Sequence, residues 1–455
     1  MPLGCPKNLI DSERMLAMLA EGGCVVGAPM EEADVIVINT CAFISAARRE
    51  ARHFIDQALA CKRSGSAARV VVAGCLASKE GRELFEGRPE IDAVVAVAGR
   101  DEVLSAVTGK GRAAHLAARA GRTARRTSAT CLPVRRGSLQ PSRLKVADDR
   151  GRFRLTPRHT AYLRIAEGCS RGCTYCTIPS IRGPLVSKPA RRVLAEAREL
   201  ADDGAVELNV IAQDTTAYGQ DLPGSAGACL AGLLRKLDRV DGVEWIRLLY
   251  TYPRQFSDEL IEAVATCRHI VPYVDMPLQH ISDPVLKRMG RGVKRKQIEQ
   301  LLAKLRAAVG DLTLRTTFIV GFPGETEKEF AELVEFVERF RFEALGVFEY
   351  SPEPGTPAAE MPGQVPPEVK AARAEAIMLA QQRIVMDANS NALGRRLRVL
   401  VDGQDDQGRT VGRHCGQAPE IDSECLLTRP APAGSFVQGV VENFEGYDLV
   451  VRPEQ

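Results

Sequence analysis

The stretch "AEGCSRGCTYCTIPSIRG" places Cys169, Cys173 and Cys176 in a C-x3-C-x2-C run, just after the apolar "AYLRIA". Thiolates packed this closely are ligands for iron–sulfur clusters, which normally take four of them. Three from a single loop leave one iron without a protein ligand. An open coordination position is the mark of a reactive site, where a structural site is closed. Zinc sites are built from C-x2-C pairs taken in twos, and no matching second pair occurs in the chain.

Three further cysteines stand alone. Cys41 ends "DVIVINTC", Cys75 ends "RVVVAGC", and Cys5 sits in "LGCPKN". The first two follow Val/Ile runs that read as parallel strands, and open α/β sheets hold their ligands past such strand ends. The three loops could converge on a second cluster, or the three could be buried thiols. Spacing alone leaves both readings open. Cys24, Cys61, Cys131, Cys229, Cys267, Cys415 and Cys425 have no metal-like spacing and read as ordinary thiols.

These residues need elements to position them. Up to residue 105 the chain alternates strand runs with helical patterns ("ISAARREARHFIDQALA", "EGRELFEG"), which predicts a doubly wound parallel sheet. Residues 106–152 are rich in Ala, Arg, Gly and Ser and read as a basic linker; within them, 112–150 hold ten Lys/Arg against two Asp. From 153 to 388 the alternation returns with six strand candidates: "AYLRIA", "VELNVIA", "WIRLLY", "PYVDMP", "RTTFIV" and "LGVFEY". Six βα units fit a partial barrel or an open sheet, and both hold function at the C-terminal strand ends. A long helix pattern ending at Gly394 leads into short strands over 389–455, a small β-barrel or sandwich.

Composition narrows the class. With 455 residues, 45% hydrophobic and 26% charged, the chain is an ordinary globular protein of two to four domains. Its 13 cysteines, with no secretory signal, are poorly read as disulfides. No apolar run approaches ~18 residues, so no transmembrane helix is expected, and the cytoplasm is the expected location.

Other residues carry a functional and an ordinary reading side by side. Gln213, Gln279 and Arg315 lie at or near ends of predicted strands and could touch a cofactor, or serve packing and surface polarity. Arg315 begins its strand, which counts against it. "GFPGETEKEF" combines a glycine turn with capping-box spacing at Thr326 and Glu329, and it could also line the barrel mouth. His280 reads as a hydrogen-bonded structural histidine and Trp245 as core. No nucleophile–histidine–acid set is present.

The C-x3-C-x2-C run with Tyr175 before its last cysteine resembles the signature of radical S-adenosylmethionine enzymes. "LGCPKNLIDSE", "NTCAFI" and "AGCLA" resemble the three cysteine motifs of the methylthiotransferase family within that superfamily. The resemblance covers nearly the whole chain. It implies a partial (βα)6 barrel, a C-terminal TRAM-like β-barrel and two four-iron–four-sulfur clusters. Cys169, Cys173 and Cys176 would bind one cluster, and Cys5, Cys41 and Cys75 the other. The first would bind S-adenosylmethionine on its open iron and generate a 5′-deoxyadenosyl radical, with Tyr175, Gln213, Gln279 and Arg315 as cofactor contacts. The second would handle the sulfur to be inserted.

One branch of the family modifies an adenosine of transfer RNA. The other modifies an aspartate β-carbon of small-subunit ribosomal protein S-twelve. "IAQDTTAYGQDL", "YVDMPLQHISDPVLKRMGRG", "YSPEPGTPAAEMPGQVP" and "GQAPEIDSE" resemble the second branch. Residues 389–455 hold seven Arg against ten Asp/Glu, a net of −3, which suits a basic protein better than RNA phosphates. The implied protein is a cytoplasmic monomer, with flavodoxin or ferredoxin as electron donor and a sulfur donor that the sequence does not identify. The rival of another class is a non-catalytic iron–sulfur protein that carries electrons or assembles clusters. Family members have a strand before the first cysteine, whereas only "MPLG" precedes Cys5. The expectation is that the missing strand lies upstream of the given start.

Overall fold

The computed structural model describes residues 1–109, 148–222 and 229–454. Most of the expected basic linker, 110–147, lies outside the described residues. The chain divides into two compact units.

The first unit comprises Met1–Leu155, Glu167–Ser170 and Thr177–Val186. Its sheet is parallel, in the order β1 (Val35–Thr40), β2 (Arg69–Gly74), β3 (Ala93–Ala96). Helices α1 (Pro6–Glu21), α2 (Ser45–Ser64), α3 (Cys75–Gly87), α4 (Val103–Thr108) and the short α5 (Ile178–Arg182) complete it. The run "VVVA" in β2 shows no alternation because both faces are covered. Val70 and Val72 pack with Ile55 and Leu59 of α2. Val71 and Ala73 pack with Met15 and Leu19 of α1 and Val103 of α4. Each fully buried valine contributes about 1.5–3 kcal/mol.

The strand expected before Cys5 has a counterpart in the first three residues. Pro2 bridges Asn39 in parallel. Leu3 N–H donates to the Asn39 carbonyl at 2.9 Å, and Asn39 N–H to the Met1 carbonyl at 2.9 Å. Cys5 therefore follows a paired segment and does not hang on a frayed end. It N-caps α1, a helix the sequence reading does not include, with Pro6 in the first-turn position that tolerates a missing N–H.

The second unit comprises Thr156–Ala166, Arg171–Cys176 and Ser187–Gln455. The short strands β5 (Ala166–Glu167) and β6 (Val186–Ser187) lie at the unit boundaries. All six expected barrel strands form: β4 (Thr160–Arg164), β7 (Glu207–Ile211), β8 (Trp245–Leu248), β9 (Ile270–Asp275), β10 (Thr313–Val320) and β11 (Ala344–Glu349). They are parallel and follow chain order across one sheet, as in a partial barrel. Between them run α6 (Ala190–Asp202), α7 (Leu230–Leu237), α8 (Asp258–Thr266), α9 (Asp283–Arg288), α10 (Arg295–Ala308) and α11 (Glu327–Phe340).

Helix α12 (Pro367–Ala392) leads to a closed barrel of β12 (Arg396–Gln404), β13 (Thr410–His414), β14 (Cys425–Leu427), β16 (Asp448–Pro453) and β15 (Phe436–Glu445), in that order. Between barrel and sandwich, the structure decides for the barrel. The short strands β13 and β14 carry too little alternation to stand out in sequence. Cys425 is fully buried in this barrel's core with Val399, Val401 and Val451, as an ordinary thiol would be.

This barrel joins the larger one through buried charge. Glu207 opens β7 with no exposure and accepts from Arg247 of β8 at 3.0 Å and Arg413 of β13 at 2.8 Å. Burial pushes the Glu207 carboxyl up, but the two guanidinium groups outweigh it and hold it below its usual range. Arg413 also pairs with Asp402 at 2.8 Å, which His159 meets at 2.9 Å. Trp245 is buried, as expected of core, and its ring packs edge-on against Phe436 at 5.0 Å.

Candidate iron–sulfur sites

Register places two of the lone cysteines side by side. Thr40 pairs with Gly74 across β1 and β2, and Cys41 and Cys75 are the next residues of each chain segment. Cys5 enters from the Pro2 edge, where Gly4 has φ +89 and a Cβ would stand 2.6 Å from Cys41 Cβ and 3.0 Å from its Sγ. Gly74 has φ +91, and a Cβ there would stand 2.2 Å from Asn39 Oδ1. Both positions need glycine for conformation and for space.

Polar side chains fix the three loops to one another. Asn8 Nδ2 donates to the Leu3 carbonyl at 2.6 Å and the Asn39 carbonyl at 3.2 Å. Asn39 Nδ2 donates back to the Asn8 carbonyl at 2.8 Å and to Ser12 Oγ at 2.7 Å. Thr40 Oγ1 donates to the Ala73 carbonyl at 2.6 Å and accepts from Leu76 N–H at 3.2 Å.

Cys41 and Cys75 are buried and Cys5 is half-buried. Burial pushes the Cys75 thiol up to about 12 and the Cys41 thiol upward too, while the Arg182 charge pulls against both. Arg182 Nη2 lies 3.5 Å from Cys75 Sγ. Its guanidinium also pairs with Asp11 at 3.0 Å and Glu167 at 2.8 Å, and Arg100 meets the same two acids at 2.7 and 3.4 Å. Sequence reasoning missed Arg182, Arg100, Asp11 and Glu167. The signal available for Arg182 was its place in "IPSIRG", six residues past Cys176.

Among the described residues no three His, Cys, Asp or Glu converge on a point that one metal ion would fill. A cluster does not require that, because it presents a separate iron to each thiol. Three free thiols at adjoining strand ends, glycines where a Cβ would intrude, and a cationic donor at one sulfur fit a cluster with one open iron.

The C-x3-C-x2-C run is divided between the units. In the first unit, Cys169 N–H donates to the Gly183 carbonyl at 3.0 Å, and Gly168 has φ +73 with no room for a Cβ beside the Pro184 carbonyl. In the second, Cys176 N–H turns back to the Cys173 carbonyl at 3.2 Å, and Thr174 N–H reaches the Met289 carbonyl at 3.1 Å. Cys173 Sγ accepts from Arg291 Nη1 at 3.8 Å and from the Tyr175 hydroxyl. Arg291 lies over the Tyr252 ring at 4.2 Å. All three thiols are half-buried, which suits ligands that must also meet a cofactor. Arg291 was also missed.

The other expected cofactor contacts separate. The Tyr175 ring packs edge-on to Phe322 at 6.2 Å, and burial pushes its phenol well above the usual range. Gln213 lies two residues beyond the end of β7 and is half-buried. Gln279 bridges Phe318 of β10 with φ +73, a strained conformation for a non-glycine residue, and among the described residues its buried Oε1 has no partner. The Arg315 guanidinium pairs with Asp275 at 2.9 Å and with Asp422, from the small barrel's loop, at 3.2 Å. Its Nε and Nη1 thereby link the two barrels.

Asp422 and Asp402 are thus spent inside the fold, so the net charge of 389–455 overstates what a partner meets. The capping box at Thr326 and Glu329 forms, with N–H···O distances of 2.7 and 3.3 Å. His280 is fully buried, accepts from Ser282 N–H at 3.0 Å, and is pushed down to about 3 by burial.

Family models match three parts of the chain: "Uncharacterized protein family UPF0004" over 1–96, "Radical SAM superfamily" over 163–337 and "TRAM domain" over 393–453. A ribosomal protein uS12 methylthiotransferase RimO from Anaeromyxobacter sp. (strain Fw109-5) is 43% identical, covering 98% of this chain and 91% of its own. The protein of the same name from Geobacter sulfurreducens is 40% identical, covering 98% and 96%. Among solved structures, the radical S-adenosylmethionine methyltransferase TsrM from Kitasatospora setae, with cobalamin and a [4Fe-4S] cluster bound, superposes with a TM-score of 0.51. It is 16% identical, and the match covers 76% of this chain and 65% of that one, a likeness of fold. Among the described residues no helix is long and apolar enough to cross a membrane.

Proposed function

The chain belongs to the family of ribosomal protein uS12 methylthiotransferases called RimO, and on that premise we propose that it adds a methylthio group to the β-carbon of an aspartate in uS12. The observation that carries this reading is 43% identity maintained over 98% of the chain. Cys169, Cys173 and Cys176 hold one four-iron–four-sulfur cluster; Cys5, Cys41 and Cys75 hold the other. When bound, these clusters and S-adenosylmethionine supply radical hydrogen abstraction, the inserted sulfur and the methyl group.

The chain's own residues orient and shield that chemistry. Arg291 and the Tyr175 hydroxyl steady the Cys173 sulfur, and Phe322 backs the Tyr175 ring. Gln279 offers a buried carboxamide oxygen, unpartnered among the described residues, to a ligand, with Gln213 as a second contact. Asn8, Asn39 and Thr40 keep the second set of strand ends at fixed spacing. The functional division is 1–105, 106–152, 153–388 and 389–455. The protein acts as a cytoplasmic monomer reduced by flavodoxin or ferredoxin.

Mass spectrometry of ribosomal proteins from a strain lacking the gene tests the reading. The uS12 aspartate should lose its methylthio increment; retention of the increment rejects the proposal. Loss of a methylthio nucleoside from transfer RNA would instead place the chain in the other branch. A reduced, anaerobic protein that forms no 5′-deoxyadenosine would be a non-catalytic iron–sulfur protein.

A further inference from the structure

The first unit contains a buried guanidinium whose neighbours are unusual for a structural ion pair. Arg182 is 2% exposed, and its Nη1 is taken by Glu167. Its Nη2 is shared between Asp11 Oδ2 at 3.0 Å and Cys75 Sγ at 3.5 Å. Arg100, itself buried, already meets both acids. The quartet of two arginines and two acids balances its own charge, so neutralising Asp11 and Glu167 does not require that Arg182 also reach a sulfur. An arginine offers five donors in a rigid planar fork. Here that fork is pinned on two sides by carboxylates, and a remaining N–H is directed at Cys75. The next residue, Gly183, accepts from the Cys169 N–H at 3.0 Å. Two adjacent residues therefore touch one cysteine from each set.

We propose that Arg182 is a positioning residue for the second cluster: it donates a hydrogen bond to the Cys75 sulfur when that sulfur ligates iron, and so raises the cluster's reduction potential. The inference rests on the reading that Cys5, Cys41 and Cys75 hold a cluster. Hydrogen bonds to ligand sulfurs stabilise the extra negative charge of the reduced form, which moves the potential upward. Asp11 and Glu167 act on the sulfur through Arg182, by fixing the direction of its fork.

The test uses the full chain reconstituted with iron and sulfide. Cys169→Ala, Cys173→Ala and Cys176→Ala together leave only the second cluster to observe. In this background Arg182→Met removes the donor, and Arg182→Lys keeps the charge but cannot serve both acids and the sulfur. The readouts are iron content, the electron paramagnetic resonance spectrum of the reduced cluster, and its midpoint potential. Arg182→Met should lower the reduced-to-oxidised ratio at fixed poise about tenfold, about 59 mV for one electron, with iron content maintained. Arg182→Lys should shift the potential in the same direction by less.

An unchanged potential and spectrum in both variants overturns the inference while leaving the cluster assignment intact. If Arg182→Met fails to hold iron, Arg182→Lys decides alone: a lowered potential supports the role and an unshifted one overturns it. If the parent background binds no iron at all, the cluster assignment fails first and takes the inference with it.

Discussion

The two proposed ligand sets are assembled by opposite routes. Cys169, Cys173 and Cys176 occupy eight consecutive residues, so chain connectivity alone keeps them together. Cys5, Cys41 and Cys75 span 71 residues and come together because β1 and β2 pair with Thr40 opposite Gly74 and Pro2 bridges Asn39. In the first case the loop is itself the proposed ligand set, and backbone hydrogen bonds such as Cys176 N–H to Cys173 tighten it. In the second, the proposed set is a property of the sheet, its glycines and its Asn8–Asn39–Thr40 web. Both sets enlist an arginine: Arg291 at Cys173 and Arg182 at Cys75. A local set should therefore tolerate damage to its scaffold better than a set assembled by register.

The largest expected effect separates the two sets outright. Cys173→Ala should abolish 5′-deoxyadenosine formation and remove about half the bound iron. Cys75→Ala should remove a comparable share of iron and methylthiolation, yet leave 5′-deoxyadenosine formation in place. Iron analysis and chromatography of the nucleoside check both; a Cys75→Ala protein unable to cleave S-adenosylmethionine would break the separation. Next comes Gly74→Ala. Its φ of +91 and the 2.2 Å approach to Asn39 Oδ1 make a Cβ costly, on the order of 1–3 kcal/mol. It should lower iron at the second set alone, with the Cys169 loop keeping its spectrum.

This contrast also explains what the sequence disclosed. The C-x3-C-x2-C run was legible because its signal lies in spacing. The six barrel strands were legible because each is a contiguous apolar run. Cys5, Cys41 and Cys75 were individually visible but physically unproven, since register is set by pairing that no single segment encodes. Arg182 and Arg291 were illegible for a related reason: an arginine reads as surface until tertiary structure supplies the carboxylates or ring that let it be buried. Arg315 was legible only in part. Its position near a strand end could be read, but its pair with Asp422, from a loop over 100 residues away, could not.

A smaller effect tests whether the buried His280 belongs to the chemistry at all. His280 is buried and neutral, pushed down to about 3 from 6.5. Its folded value is depressed, so its contribution to stability is full above about 6.5 and is lost as pH falls toward 3. Between pH 6.5 and 5 that amounts to about 2 kcal/mol. Denaturant unfolding followed by the fluorescence of Trp245, the single tryptophan, should show this acid limb. His280→Gln should flatten it without changing the iron at either set. Iron loss on His280→Gln would bring the residue into the ligand scaffold.

The smallest effect concerns Tyr175. Its ring leans on Phe322 while its hydroxyl donates to Cys173, so Tyr175→Phe removes only the hydrogen bond. The loop is short and held by backbone bonds through Cys176 and Thr174, so the thiol should keep its place. The cost should be about 0.5–1.5 kcal/mol, the net worth of one such bond. Iron content should stay at the wild-type level, with a small shift in the reduced-cluster spectrum as Cys173 loses one of its two donors. Arg182→Met acts on a sulfur that depends on register and should perturb its cluster more. If Tyr175→Phe instead costs as much iron as Cys173→Ala, the consecutive set depends on its scaffold as fully as the dispersed one. Chain proximity would then not be what distinguishes them.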